Sequence, residues 1–258
     1  MFGTRSIPED LDALREAVAP ESIVLDADRD FETLPPMAVE DLGLVVDDLD
    51  PVSYPAAWFP DDVPETVRRR ATGDLTLGLP GDGSVVWTGQ TDPPVVVVKP
   101  RTAGSPTDFV DFLIAEALVA VGGPVPEDPL AFFTDGYADL AAAVPFGPAE
   151  TYRLAAALYD GYCNLNARPT FREWGDEYGR LGAAWTDAGD RFTERVDGLP
   201  AALARGRTTI PEATEIACSA LKHDIDVPAP FDALDTGIYG DRGAPFAVEW
   251  ARRVTDAA

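Results

Sequence analysis

The segment TDPPVVVVKPR, residues 91–101, combines four consecutive valines with one of the only two lysines in the chain. Four β-branched residues in a row, preceded by two prolines, predict a short buried β-strand over residues 95–98. The strand runs directly into Lys99, and Arg101 follows two residues later. A buried strand that ends on two cations is the most distinctive feature of this sequence.

Two further strands are predicted just upstream. Residues 75–79 alternate between apolar and other side chains, residues 80–83 read Pro-Gly-Asp-Gly, and residues 84–87 continue as an extended run. This order is typical of a β-hairpin. With residues 95–98 it predicts a small three-stranded antiparallel sheet. Because so small a sheet cannot form a core alone, we expect it to pack against helices from the rest of the chain.

Most other segments have helical periodicity. Helices are predicted near residues 7–19 and 37–49, and then at 106–121, 127–142, 148–166, 171–197, 211–224 and 244–255. The fold class is therefore α+β, predominantly helical, with the sheet packed against a C-terminal helical bundle. We predict a single domain over residues 1–258, with a mixed helix and β-meander part over 1–104 and a helical part over 105–258.

One aromatic stripe gives the strongest periodic signal in the helical part. Its members recur at steps of three or four and are Phe171, Trp174, Tyr178, Leu181, Trp185, Ala188 and Phe192. Four glycines lie beside it, Gly175, Gly179, Gly182 and Gly189, and would let another element approach the backbone closely. The stripe is interpreted either as the core of the bundle, which is the favoured reading, or as the lining of a ligand groove.

The charge balance excludes several classes of partner. The chain has 45 acidic and 20 basic residues, a formal net charge of −25. Such an excess opposes binding to phosphate backbones, so no direct nucleic acid partner is expected. It also repels itself in dilute salt and is screened in concentrated salt, which indicates a salt-rich, cytoplasmic environment. Signal-peptide and membrane-spanning patterns are absent from the sequence, so we expect no membrane partner.

Cysteine and histidine are rare, and no cofactor is predicted. Cys163 and Cys218 are too few for a disulfide framework or a thiolate zinc site. The one histidine, His223, follows Glu215 and Ser219 at helical spacing, but Ser219 stands where a triad needs the imidazole. We expect Ser219 to bond back to the helix backbone and His223 to pair with Asp224 or Asp226.

A possible calcium loop is incomplete. Asp26, Asp28 and Asp30 have the alternate spacing of calcium ligands, but Phe31 replaces the glycine of the turn and Met37 replaces the closing glutamate. In a chain so rich in aspartate, such spacing arises by chance. No metal ligands are therefore assigned.

The favoured candidate site is an anion site after the valine strand. Lys99 and Arg101 precede Gly104 and Ser105, which are predicted to cap a helix that begins at Pro106. Cations beside the free N–H groups of a helix N-terminus would attract an anion. The candidate ligand-binding residues are thus Lys99, Arg101 and Ser105. The competing interpretation is that Ser105 and Asp108 form a capping box and that the two cations pair with nearby carboxylates.

Three segments carry a resemblance to a known group of proteins. They are residues 91–101, residues 150–160 (ETYRLAAALYD) and residues 217–223 (ACSALKH). Together they resemble an uncharacterised protein family of halophilic archaea, over nearly the whole chain. The resemblance implies lineage and a salty cytoplasm, and it implies no activity and no functional residue.

Three functional hypotheses follow. The first and favoured one is a non-catalytic interaction or regulatory module, which would dock an unknown protein partner through surfaces near Trp58 or Trp185. The second is a protein that binds a small anionic ligand at Lys99, Arg101 and the following helix. The third is a metal-dependent hydrolase or transferase whose groups, such as Asp26, Asp28 and His223, meet only in three dimensions.

Overall fold

The computed structural model describes residues 1–31, 34, 36–78 and 83–256. The strands are β1 (Phe2–Thr4), β2 (Ile23–Ala27), β3 (Asp48–Leu49), β4 (Val85–Thr88), β5 (Thr91–Asp92) and β6 (Val95–Val98). The α-helices are α1 (Glu9–Val18), α2 (Pro36–Leu42), α3 (Glu65–Ala71), α4 (Thr107–Gly122), α5 (Pro129–Phe133), α6 (Gly136–Ala143), α7 (Pro148–Glu177), α8 (Gly179–Asp197), α9 (Leu199–Ala204), α10 (Ile210–Ala220), α11 (Gly237–Arg242) and α12 (Ala244–Asp256). Within these described ranges, no helix is both long enough and apolar enough to cross a membrane.

The chain forms two compact units. The first unit comprises residues 1–53, 69–127 and 173–184. The second unit comprises residues 54–68, 128–172 and 185–258. The single domain over residues 1–258 stays a prediction.

The main sheet lies in the first unit and differs from the predicted one. It has four strands in the order β1-β2-β6-β4, and β6 pairs parallel with β2 and antiparallel with β4. The predicted strand over 95–98 is confirmed and lies inside the sheet. The predicted three-stranded antiparallel arrangement is wrong, because β1 and β2 join from the N-terminal part of the chain. A separate two-stranded sheet is formed by β3 and β5.

The first strand of the predicted hairpin does not form. Leu75 and Leu77 are buried, but residues 75–77 are not in a strand. Side chains bind this backbone instead: Gln90 Nε2 donates to the Thr76 carbonyl at 3.2 Å, and the Arg70 guanidinium donates to the Gly78 carbonyl. With its carbonyls bound by side chains, the segment packs without joining the ladder. The predicted turn at residues 80–83 lies largely outside the described residues.

Both faces of this sheet are covered. Residues Val95 to Val98 are all buried, which is typical of a strand enclosed on both sides. Helix α4 packs against β4 and β6, so the first helix of the predicted helical part covers the sheet as expected. Val95 and Val97 belong to a hydrophobic cluster with Phe31, Leu34 and residues of α2. The helix predicted over residues 37–49 is shorter in the structure, because α2 ends at Leu42 and β3 follows.

Two helix boundaries in the C-terminal half also differ from the predicted ones. Helix α7 continues through Pro169, where the sequence predicted a break. The break comes instead at Tyr178, between α7 and α8. Gly182 explains the position of the joint, because a Cβ there would lie 2.8 Å from the Gly175 backbone. Only glycine allows the two helices to approach so closely.

The aromatic stripe is core in part, since Tyr178, Trp185, Ala188 and Phe192 are only half-buried. Phe171, Trp174 and Leu181 are buried, and Trp174 packs edge-on against Phe112 with ring centroids 6.1 Å apart. The stripe spans α7 and α8 rather than one helix. The predicted close approach is confirmed at Gly182 and also at Gly189, where a Cβ would lie 3.1 Å from His223 Cβ.

The second unit has an aromatic core of its own. Phe132 packs against Tyr162 with ring centroids 4.8 Å apart, and Tyr162 lies against Tyr239. The Tyr239 hydroxyl donates to the Leu158 carbonyl, which satisfies a polar group that burial would otherwise penalise. Helix α12 packs against α6, α5 and α11.

Candidate functional site: a pocket at the end of strand β6

A pocket forms in the first unit where strands β2 and β6 end. Parallel pairing aligns Asp26 of β2 with Val98 of β6, so both strands end at the same edge of the sheet. The chain then passes through a short 3-10 helix, Pro100–Thr102, and enters α4. This edge, where strand carboxyl ends meet a helix N-terminus, is the usual place for ligands in parallel sheets.

We call this cavity the strand-end pocket. Its volume is about 340 Å³. Its lining residues are Arg5, Asp26, Ala27, Val98, Lys99, Pro100, Thr102, Ala103, Ser105, Thr107 and Val110. Two of the three residues that the sequence selected, Lys99 and Ser105, therefore belong to one pocket.

Lys99 lies in the pocket wall with a buried side chain. Its exposed fraction is 0%, and its Nζ lies 5.0 Å from the centroid of the Phe31 ring, a cation–π geometry. Side chains alternate along a strand, so Lys99 falls on the same face as Val95 and Val97, in the cluster around Phe31. It contributes a desolvated positive charge beside the pocket rather than a solvent-facing ammonium.

Arg101 is not among the residues that line the pocket and pairs with Asp30. Its Nε and Nη2 donate to the Asp30 carboxylate at distances between 2.6 and 3.0 Å. These hydrogen bonds lower the pKa of Asp30 below its ordinary value. For Arg101, the competing interpretation of the sequence, pairing with a nearby carboxylate, is therefore correct.

Arg5 is the lining cation that sequence reasoning missed. It follows β1, and its Nη1 donates to the Asp26 carboxylate at 2.6 Å. No role was predicted for the residues that precede the helix near residues 7–19. A strand prediction for the apolar run at residues 23–25 would have indicated a sheet partner for this segment and so brought Arg5 beside β2.

The helix start differs by one residue from the predicted one. Helix α4 begins at Thr107, its N-cap is Pro106, and within the described residues no side-chain hydrogen bond caps it. The capping role predicted for Ser105 is therefore wrong. Ser105 lines the pocket with Thr102 and Thr107, so three hydroxyl-bearing residues stand beside the helix N-terminus.

Cations outnumber carboxylates among the residues that line the pocket, although the chain as a whole is acidic. Its charged lining residues are two cations, Arg5 and Lys99, and one carboxylate, Asp26. A guanidinium has five N–H donors, and Asp26 engages Arg5 through Nη1. The remaining donors, the hydroxyls and the positive end of the α4 dipole suit an anionic group.

His223 is packed between aromatic side chains in the second unit. Its ring lies between those of Trp185 and Phe192, at centroid distances of 6.1 and 5.6 Å, and its Nδ1 is 3.0 Å from the Trp185 carbonyl oxygen. Of the two aspartates predicted as its partner, Asp224 is paired with Arg172. Burial is the main cause that lowers the pKa of His223 to about 4, and neighbouring Lys222 adds to it.

Ser219 behaves as predicted. Its hydroxyl donates to the Glu215 carbonyl at 2.8 Å, one helical turn earlier. Across the described part of the chain, no group of three His, Cys, Asp or Glu side chains is arranged to hold a metal ion. Asp26, a group named for the metal-dependent alternative, is bound by Arg5.

The environment of His223 gives a pH prediction. Because its folded-state pKa of about 4 lies below the ordinary 6.5, the unfolded chain takes up the proton first as the pH falls. The neutral, buried His223 therefore stabilises the fold above pH 6.5, and this contribution is lost as the pH falls from 6.5 to 4. We expect the titration of His223 to lower the free energy of unfolding by about 2 kcal/mol between pH 6.5 and 4.5.

Denaturant unfolding of wild type and His223→Gln across this pH range measures the effect. The carboxylates titrate in both proteins, so the difference between the two profiles isolates the imidazole. The two curves should converge as the pH falls, and parallel curves would contradict the assignment.

The comparisons with known proteins give a family and no activity. A family model described as a family of unknown function (DUF7089) matches residues 1–258, so the chain belongs to that family. The search of curated proteins found no match, and neither did the search of solved structures.

Proposed function

We propose that this member of the DUF7089 family binds a small anionic ligand in the strand-end pocket. The observation that carries the proposal is the wall of the pocket, where cations outnumber carboxylates in a chain of net charge −25. In so acidic a protein, a wall with more cations than carboxylates attracts anions and raises their local concentration.

Each group has a distinct part in the proposed complex. Arg5 donates hydrogen bonds to the anion through the nitrogens that Asp26 leaves, and Ser105 donates from the helix side. Lys99 stabilises the bound charge electrostatically from within the wall, where the low dielectric strengthens its field. Arg101 is assigned no direct contact, since it is engaged by Asp30.

The pocket is larger than a bare oxyanion needs. Its volume of about 340 Å³ falls at the lower end of the range for small-molecule sites. Val98, Ala103 and Val110 supply apolar wall beside the polar groups. The ligand class is therefore a small anion with a short organic body, such as a phosphomonoester or a carboxylic acid.

A binding screen tests this function. Thermal unfolding is followed in concentrated KCl with phosphate, glycerol phosphate, citrate and succinate, because a ligand of the native state raises stability by RT ln(1 + [L]/Kd). We expect at least one anion to raise the midpoint, and Arg5→Gln to weaken its binding about tenfold, as for loss of one charged hydrogen bond.

Three variants sharpen the screen. Lys99→Met should weaken binding less than Arg5→Gln, since it removes a field rather than a contact. Arg191→Gln is the matched control, because Arg191 is an exposed arginine paired with Asp187 and does not line the pocket. If Arg5→Gln and Arg191→Gln bind the anion as wild type does, the proposed site is wrong.

The second candidate function is the interaction or regulatory module. It is supported by the exposure of Met37 and Leu44, at 70% and 86%, on α2 and the turn after it. The tryptophans first considered are half-buried and make contacts within the chain: the Trp58 ring lies 5.7 Å from the Tyr54 ring, and the Trp185 indole donates to the Lys222 carbonyl. A flat anion screen on a cooperatively folding wild-type protein would favour this second function.

We also propose that the protein works in a salt-rich cytoplasm and that its family is haloarchaeal. The support is the net charge of −25 and the near absence of lysine, with two lysines among 20 basic residues. Added salt screens the repulsion between carboxylates and also weakens ion pairs. The first effect on stability should be the larger, because carboxylates outnumber cations by more than two to one.

This proposal predicts that the free energy of unfolding rises as KCl is increased from dilute to multimolar concentration. Urea unfolding at several KCl concentrations measures it, with an uncharged osmolyte of equal osmolality as the control. A stability that falls steadily with added KCl would contradict the salt-rich assignment.

A further inference from the structure

The second unit contains a cavity that the proposed function does not use. It lies beside α6 and the start of α7 and has a volume of about 280 Å³. Its lining residues are Pro60, Asp62, Val63, Tyr137, Ala138, Ala141, Ala142, Phe146, Pro148 and Thr151. We call it the Tyr137 cavity.

The polar groups of the Tyr137 cavity are few and of one sign. Asp62 is the one charged residue among the lining residues just given, so the wall carries a negative charge. Tyr137 is buried, and burial, Tyr152 and Asp62 together raise the pKa of its phenol, so its hydroxyl stays protonated. Its ring is held edge-on by Phe59, with centroids 5.7 Å apart.

Apart from Thr151, the rest of the wall is apolar. Ala138, Ala141 and Ala142 follow one face of α6, at steps of three and four, and leave room that larger side chains would fill. Phe146 and Pro148 add apolar surface at the far side. A cavity with one carboxylate, one phenol and mostly apolar walls matches a compact amphiphile rather than a highly polar ligand.

We propose that the Tyr137 cavity binds a small primary amine with a short apolar body. The ammonium lies near the Asp62 carboxylate, and the apolar body lies against the α6 alanines. A cationic ligand is favoured because an ammonium beside a carboxylate gains electrostatic attraction. An anion of the same shape would be repelled by Asp62.

Isothermal titration of the full chain with three isosteric probes tests the proposal. The probes are phenethylamine, phenethyl alcohol and phenylacetate, which differ in charge and share the apolar ring. We expect the amine to bind at least about tenfold more tightly than the alcohol, which is the factor that one charged interaction supplies. Phenylacetate should show no measurable heat at this site.

Two substitutions locate the site. Asp62→Asn, at an exposed position, should remove the preference of the protein for the amine over the alcohol without changing the unfolding midpoint. Asp139→Asn is the matched control, because Asp139 is also an exposed acid, lies on α6 and is not part of the lining. The proposal is independent of the strand-end pocket, so Arg5→Gln should leave amine binding unchanged.

The outcomes separate clearly. Amine binding that falls about tenfold in Asp62→Asn and is unchanged in Asp139→Asn supports the site. Equal binding of the amine and the alcohol, loss of amine binding in both variants, or no binding of the amine to wild type would overturn it.

Discussion

Replacing Arg180 by methionine is expected to lower the free energy of unfolding by about 3 kcal/mol, the largest effect of any single side chain considered. Arg180 lies in the first turn of α8, and its guanidinium bridges three carboxylates of the first unit. It donates to Asp10 at 2.8 and 3.0 Å, to Asp108 at 2.9 Å and to Asp111 at 2.7 Å. One cation therefore bridges three negative charges.

The burial of one partner makes this cluster costly to break. The Asp111 side chain is 3% exposed, so its charge depends on Arg180 for compensation. The hydrogen bonds from Arg180 also lower the pKa of Asp10, which shows that the carboxylate form is favoured in the folded state. Removing the guanidinium leaves three like charges together, one of them buried, and that penalty exceeds the loss of the hydrogen bonds alone.

Chemical denaturation of four variants measures the contribution. Arg180→Lys should lose an intermediate amount, since an ammonium cannot bridge three carboxylates with the same geometry. Asp111→Asn should partly rescue Arg180→Met, because it removes the buried charge. Arg191→Met is the control for an exposed pair and should lose less than about 0.5 kcal/mol. Equal losses in Arg180→Met and Arg191→Met would contradict the bridging role.

The second large effect is expected at Gly122, the last residue of α4. A Cβ there would lie 1.9 Å from the Val18 carbonyl oxygen and 2.7 Å from its carbonyl carbon, at the end of α1. The clash is with backbone, which cannot rotate away as a side chain would. Gly122→Ala must therefore push α4 from α1, at a cost of about 3 kcal/mol, the upper end for overpacked sites.

Gly175→Ala provides the control. Gly175 is also helical and lies in the same unit, but a Cβ there would meet nothing within 4 Å. This substitution should raise the free energy of unfolding by about 0.5–1 kcal/mol through helix propensity. Opposite signs for the two alanine substitutions in urea unfolding are the expected result. A neutral or stabilising Gly122→Ala would show that α1 and α4 do not approach each other as described.

The sequence predicted the strand at residues 95–98 because four β-branched residues have no competing interpretation. It did not predict β2, because the apolar run at 23–25 is short and leads into the acidic spacing at Asp26, Asp28 and Asp30, which drew attention to metal binding. Parallel pairing between strands about 70 residues apart also leaves no local signal. The predicted antiparallel sheet therefore lacked its N-terminal half.

Prediction of the helix ends was limited in the same way, because the ends depend on contacts that are distant in sequence. Proline at 169 is a local breaker, but the helix continues through it, and the buried contacts of Phe171 and Trp174 lie just beyond. The break at Tyr178 depends on close packing between Gly175 and Gly182, which is tertiary information. Local propensity predicted that the helices exist but did not predict where they end.

The candidate site was predictable only in part, because some of its residues are neighbours in sequence and others meet through strand pairing. Lys99 and Ser105 follow the strand in sequence, so they share its edge. Arg5 comes to the pocket only through the pairing of β1 with β2, which sets its backbone beside Val24, and its side chain extends from there to Asp26. Arg101 was assigned to the site because nothing local indicated that Asp30 would bind it.

The proposed function depends on contact between the anion and Arg5 in the strand-end pocket. A nuclear magnetic resonance titration of ¹⁵N-labelled protein with phosphate, glycerol phosphate and succinate in concentrated KCl tests this contact. We expect saturable shifts of the Arg5 side-chain Nε–H and of the Ser105 and Thr107 amides with at least one anion, and we expect these shifts to be lost in Arg5→Gln. Saturable shifts confined to other residues, or no saturable shift with any of the three anions, would contradict it.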